Sequence, residues 1–97
     1  MQRDEAIRRL RAHEAEFKRL GVEHLYLFGS TARDEASEES DVDLFFDHAK
    51  GHLGVYELMD VMERASIVLG RNADVMTRRS LHPLLRERIE ESAVLVF

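Results

Sequence analysis

The sequence predicts an α/β fold, a small sheet covered by helices, and three observations carry that expectation. Helix-period and strand-like segments alternate in the order α-β-α-β-α-β-α-β, a pattern that buries a sheet against helices. Gly21, Gly29 and Gly70 stand where elements should stop. The 97 residues, 44% hydrophobic and 34% charged, can bury one core with little room for a second, so residues 1–97 are expected to form a single domain.

Each element has its own signal. Arg3 to Leu20 reads as a helix, with Ile7, Leu10, Phe17 and Leu20 at helical spacings. The acid–base pairs Asp4/Arg8, Glu5/Arg9 and Glu14/Lys18 suit its solvated side. Val22 to Phe28, rich in branched and aromatic residues, is the first strand and ends at Gly29. Ser30 is the expected N-cap of a short helix reaching Glu35, and Asp34 to Ser40 is a polar surface connection. Asp41 to Phe46 is the second strand, whose alternation puts Asp41, Asp43 and Phe45 on one face and Val42, Leu44 and Phe46 on the other.

Gly51 and Gly54 bracket a loop before a helix from Val55 to Leu69, with Val55, Leu58, Met59, Met62, Ala65 and Leu69 as its apolar positions. Gly70 closes that helix, and Ala73 to Met76 forms a third strand containing Asp74. Pro83 suits the first turn of a last helix, expected to run to Glu91 and to bury Leu84, Leu85 and Ile89. Ala93 to Phe97 reads as an edge strand.

The composition narrows the function classes. A net charge of −5 argues against broad or stable direct nucleic-acid binding. It leaves a nucleotide open, because Mg²⁺ bridges carboxylates and phosphates. No apolar run approaches a membrane span. The absence of cysteine rules out disulfides and thiolate metal sites and fits a cytoplasmic protein.

Asp41 and Asp43, two residues apart on one strand face, could converge on a metal pair that clamps the oxygens of an in-line phosphoryl displacement. Asp74 is the candidate third carboxylate, either completing the metal shell or taking the proton of an attacking hydroxyl. Asp-x-Asp alone is a weak signal, and so is Gly-Ser. Joined as strand, Gly29, Ser30 and then Asp41-x-Asp43, they form a unit in which backbone N–H groups and the Ser30 hydroxyl bind terminal phosphates beside the metals. For Arg33 two readings stand, a phosphate contact or a structural ion pair. Arg78 and Arg79 likewise either approach a nucleotide or partner, or sit in a solvated loop. His48 and His52 straddle Gly51, which disfavours a helical metal pair.

Gly29-Ser30-Thr31-Ala32-Arg33 followed by Ser40-Asp41-Val42-Asp43-Leu44 resembles the signature of the polymerase-β-like nucleotidyltransferase superfamily. The small size, the Ala73-Asp74-Val75 segment and the tail from Leu81 to Ile89 resemble its minimal nucleotidyltransferase (MNT) branch. That resemblance implies a small mixed sheet covered by helices, with Gly29 and Ser30 holding the triphosphate of ATP. It also implies Asp41 and Asp43 as Mg²⁺ ligands, with two ions bound, and Asp74 as the third acidic residue. It implies transfer of AMP to a tyrosine hydroxyl of a HEPN-domain RNase toxin, the chain acting as antitoxin of a type VII-like pair. One departure is Asp34, where many relatives carry Gly.

Two other functions compete. One is a catalytically idle antitoxin that inhibits by covering the toxin. The other is nucleotidyl transfer to a small molecule, which the shortness of the chain disfavours because little of it remains to build an acceptor pocket.

Overall fold

The computed structural model describes residues 1–49 and 53–97. Its centre is a four-stranded mixed sheet in the order β3-β2-β1-β4, comprising β1 (Val22–Phe28), β2 (Val42–His48), β3 (Ala73–Thr77) and β4 (Val94–Leu95). β1 runs antiparallel to β2 and β4, while β2 and β3 are parallel. The helices are α1 (Arg3–Ala12), α2 (Glu14–Arg19), α3 (Gly29–Ala32), α4 (Val55–Leu69) and α5 (Arg86–Ser92). The sheet and its covering helices match the fold class read from the sequence.

One face of the sheet carries the main core. Leu25, Leu27, Val42, Leu44, Phe46 and Val75 pack there with Ala6, Leu10 and Phe17 from α1 and α2 and with Val61, Ala65 and Leu69 from α4. Strand alternation places these residues inward at every second position. Val22 breaks that parity and is still buried, because the β1–β2 register shifts between Val22 and His24. Such a bulge changes which side of the sheet a residue faces.

The bounds of β1 and α4 coincide with those expected, and Gly70 ends α4 in the left-handed conformation at φ 69°. Other expectations need correction. The helix expected over Arg3 to Leu20 is two helices, interrupted at His13 with φ −114° and ψ 20°. The His13 ring bonds the Glu16 carboxylate three residues on, a local side-chain bond at the start of α2. Of the paired charges, Glu5–Arg9 closes to 2.7 Å and Glu14–Lys18 to 3.6 Å, whereas Asp4 lies 3.6 Å from Arg3.

On α4 the buried stripe is Val61, Ala65 and Leu69, while Val55 and Met59 are 72% and 55% exposed. The last helix begins at Arg86, three residues beyond Pro83, and none of Leu84, Leu85 and Ile89 is buried, Ile89 being half-buried. A turn from His82 precedes it, with Leu85 and Arg86 both donating to the His82 carbonyl. The edge strand shrinks to Val94–Leu95, although Leu25 also bonds Val96 and Phe97 through the backbone. Gly51 and His52 lie outside the described residues. Among the described residues, no helix is long and apolar enough to cross a membrane.

Candidate active site

The second face of the sheet carries the polar chemistry. Phe28 pairs with Asp43 across β1 and β2, and Asp43 pairs with Asp74 across β2 and β3. The end of β1, the Asp43 carboxylate and the Asp74 carboxylate therefore lie in one row across three adjacent strands. Gly29 follows Phe28 with φ 74°, and a Cβ there would run into Oδ2 of Asp43. Only glycine combines that left-handed backbone with so close an approach to a carboxylate.

Asp41 reaches the row by a different route. It precedes β2 instead of opening it, contrary to the strand expected from residue 41, and its side chain is exposed. The connection before it is held from β3's side. Arg71 Nη1 donates to the Glu38 carbonyl at 2.9 Å and to the Ser40 carbonyl at 3.4 Å. Val42 N donates to the Asn72 carbonyl at 3.1 Å. Arg71 is a residue the sequence analysis passed over, since nothing in a lone arginine beside Gly70 signals a backbone clamp.

The electrostatics show that the three carboxylates share a neighbourhood. Burial pushes the Asp43 carboxyl above the usual range, and the charges of Asp74 and then Asp41 push it further, against a lowering by Arg33. This is a negative cluster short of counter-charge. Among the described residues, no three His, Asp or Glu side chains are gathered closely enough to cage a metal by themselves. A Mg²⁺ site built on one or two carboxylates, with substrate phosphates and water completing the shell, does not need such a cage.

The turn after β1 differs from expectation in detail. α3 spans Gly29–Ala32 with Phe28 at its N-cap, so Ser30 is inside the first turn and makes no capping bond. The first backbone N–H groups of a helix have no intrahelical acceptor. Thr31, which sequence reasoning missed, is 1% exposed and its Oγ1 has no protein partner. Asp34 adopts φ 60° and turns away from this turn, its Oδ1 accepting the Arg3 backbone N–H at 3.0 Å. It thus supplies the N-terminal cap that α1 does not obtain from Gln2.

The arginines separate into roles. Arg33 Nε donates to Glu35 at 3.1 Å, so its ion pair is with a loop residue and not with a strand carboxylate. Arg78 is structural: it donates to both Asp47 oxygens at 2.7 and 3.1 Å and to Glu90 at 2.8 Å. Its guanidinium also lies over the Tyr26 and Phe45 rings, 4.9 and 5.1 Å from their centroids. Those bonds to Asp47 raise its already high pKa. The neighbouring histidine, His48, stands 3.7 Å from Glu57, and the His48/His52 pairing lies outside the described residues.

An open cleft of about 590 Å³ adjoins the Gly29 turn, lined by Phe28, Gly29 and Arg33 on one side and Leu85, Arg88 and Ile89 on the other. Another hollow of about 380 Å³, bordered by Phe46, Asp47, Leu58, Thr77 and Arg78, lies at the opposite ends of β2 and β3 and touches none of the three aspartates. None of the three aspartates lines the first cleft either; its link to the carboxylate row is Gly29, where an added Cβ would meet Asp43.

A mixed sheet with a Gly-Ser turn set against two in-register aspartates defines a nucleotidyl-transfer type of protein. The profile of the nucleotidyltransferase domain family matches residues 10–96, and the chain belongs to that family. It is 39% identical over 74 residues to a candidate protein adenylyltransferase of Methanocaldococcus jannaschii, covering 76% of this chain and 78% of that one. It is 33% identical over 90 residues to the protein adenylyltransferase MntA of Thermococcus cleftensis, covering 90% and 88%. A solved structure of a candidate minimal nucleotidyltransferase superposes with TM-score 0.82 at 30% identity, over 97% of this chain and 95% of that one. The fold also matches a chain of a complex between a tri-AMPylated HEPN toxin of Shewanella oneidensis and an MNT antitoxin, with TM-score 0.60 at 17% identity over 89% and 70%.

Proposed function

We propose that residues 1–97 form a single domain that transfers AMP from ATP to a hydroxyl, most simply a tyrosine, of a partner HEPN-domain RNase toxin. In this reading the chain is the cytoplasmic antitoxin of a type VII-like pair. The observation that carries it is Gly29 set against Asp43, with Asp74 in register on the next strand. The names of the curated relatives support the adenylyl group, and the HEPN complex of similar fold supports the partner.

The residues divide the work as follows. The N–H groups of the Gly29–Ser30 turn and the Ser30 hydroxyl hold the terminal phosphates, with Arg33 within reach of the same charge. Asp41 and Asp43, with Asp74, are hard oxygen donors whose mutual repulsion at Asp43 suits them to Mg²⁺. Two bound Mg²⁺ ions would neutralise phosphate charge and polarise the α-phosphate. Asp74, exposed on an edge strand, accepts the proton of an acceptor hydroxyl arriving from another protein. The hydroxyl oxygen then bonds the α-phosphorus, the α–β bridging bond breaks, and pyrophosphate leaves.

The test is to purify the chain with the product of its neighbouring gene, add ATP and Mg²⁺, and measure partner mass. An AMP-sized gain that disappears with Asp41→Ala or Asp43→Ala supports the proposal. No gain with any of the four nucleoside triphosphates, with tight binding that survives both substitutions, would instead establish the idle antitoxin.

A further inference from the structure

The cleft beside Gly29 has a second wall that the carboxylate chemistry leaves unused. α5 supplies it through Arg88 and Ile89, with Leu85 at the helix's N-cap. The wall is fixed in place: Glu90 of α5 is bonded by Arg78 at 2.8 Å, and Arg78 is in turn bound to Asp47 and stacked over Tyr26 and Phe45. Leu81, at the start of the segment, is 2% exposed. A side chain on α5 therefore meets the Gly29 turn at a defined position.

Arg88 is the cation on that wall, and among the described residues it forms no ion pair or side-chain hydrogen bond. Glu90 is bonded by Arg78, and Glu91, three residues on along the same lining, makes no ion pair with Arg88 among the described residues. Across the cleft stands Arg33, held by Glu35. Between them the surface is Phe28, Leu85 and Ile89, which offer no acceptor, with Glu91 the one carboxylate on the lining. Two guanidinium groups lining an apolar-floored cleft that opens onto a Gly-Ser turn call for a polyanion. Arginine binds phosphate oxygens through paired N–H donors, stronger than neutral hydrogen bonds.

We propose that Arg88 binds the polyphosphate of the nucleoside triphosphate from the α5 side, opposite Arg33, so that α5 is one wall of the nucleotide site. This rests on the nucleotidyl-transfer reading above. The same position would keep pyrophosphate bound as it leaves.

The full chain is titrated calorimetrically with AMP-PNP, inorganic tripolyphosphate and adenosine, in parallel with Arg88→Gln, Arg88→Lys and, as a control on the same helix, Glu87→Gln. Arg88→Gln is expected to weaken AMP-PNP and tripolyphosphate about 10- to 100-fold, the range for losing a charge-assisted contact. Adenosine should be unaffected, Arg88→Lys should recover part of the loss, and Glu87→Gln should bind as wild type. Arg88 is exposed, so the fold should survive, and equal melting temperatures would verify this. If Arg88→Gln melts early, Arg88→Ala decides instead, with wild-type tripolyphosphate binding by that variant counting against the proposal. Unchanged AMP-PNP binding with weakened binding of the HEPN partner would overturn it and assign α5 to acceptor docking. Unchanged binding of both also overturns it. A wild-type chain that binds no AMP-PNP removes the nucleotidyl-transfer reading and this proposal together.

Discussion

The two faces of this sheet are built by opposite means. On one, β2 presents Val42, Leu44 and Phe46 to a continuous apolar layer from α1, α2 and α4. On the other, the same strand presents Asp43, Phe45 and Asp47, and the cover is polar: Arg78 lies over Phe45 and bridges Asp47 to Glu90 of α5. Phe45 is fully buried under that cover, whereas Asp43 at the open end is not. Alternation along a single strand thus separates stability from chemistry. The first face is expected to tolerate no loss of volume, and the second to tolerate loss of its carboxylates while losing function.

The sharpest break of that contrast is at Asp43. Replacing it with Asn should reduce adenylyl transfer on the order of a thousandfold or more, the scale of losing a charge-organising metal ligand. Stability should move the other way. Burial and the neighbouring aspartates raise the folded-state pKa of Asp43, so its ionised form destabilises the fold above that pKa and the effect vanishes below the normal carboxylate range. In EDTA at pH 7 the Asn variant should therefore melt higher than wild type, and at pH 3 the gap should close. A lower melting temperature at neutral pH would show that Asp43 is also part of the core's support.

Leu44, the next residue, faces the other way and is fully buried. Leu44→Ala should cost about 2–5 kcal/mol in chemical denaturation, the range for an aliphatic core truncation. At Gly29 the two faces meet. Gly29→Ala forces a left-handed alanine, about 1–2 kcal/mol of strain, and drives its Cβ into Asp43. Stability and transfer should both fall. A variant with reduced stability but full transfer would refute the close approach of turn and carboxylate.

Most of this division is legible in the sequence, and the misses have physical causes. Strand alternation puts Asp43 opposite Val42 and Leu44, and Gly-Ser marks the end of β1, but the register that sets Gly29, Asp43 and Asp74 in one row comes from strand pairing, which is not legible in the sequence. Nor does the helical period of α4 by itself decide which positions are buried. Ala65 and Leu69 are buried as expected and Leu58 and Met62 pack on the core, but Val55 and Met59 fit the helical period and are exposed, while the buried Val61 lies outside the expected stripe. The break at His13 has no glycine or proline to announce it. Arg78 looked like a loop residue because its partners, Asp47 and Glu90, lie 31 and 12 positions away. Long-range ion pairs leave no local pattern.

Arg78→Met keeps stem volume and removes the bridge to Asp47 and Glu90. With its partners about one-third exposed, the loss should be about 1–2 kcal/mol, below the value for buried pairs. Because Arg78 holds α5, nucleotide affinity should fall with it. A loss of stability alone would separate α5 from the site.

Asp34 gives the smallest and most discriminating test. Its position beside the phosphate turn suggests repulsion of the nucleotide, whereas its side chain is spent on the Arg3 N–H at the start of α1. Its backbone sits at φ 60°, where an L-residue is strained and glycine is not. Asp34→Ala should lose the cap and keep the strain, costing about 0.5–2 kcal/mol. Asp34→Gly should lose the cap and relieve the strain, leaving stability within about 0.5 kcal/mol of wild type. AMP-PNP affinity should be unchanged in both. If Asp34→Gly instead tightens nucleotide binding severalfold, the Asp34 carboxylate acts on the Gly29–Ser30 turn as well as capping the first helix.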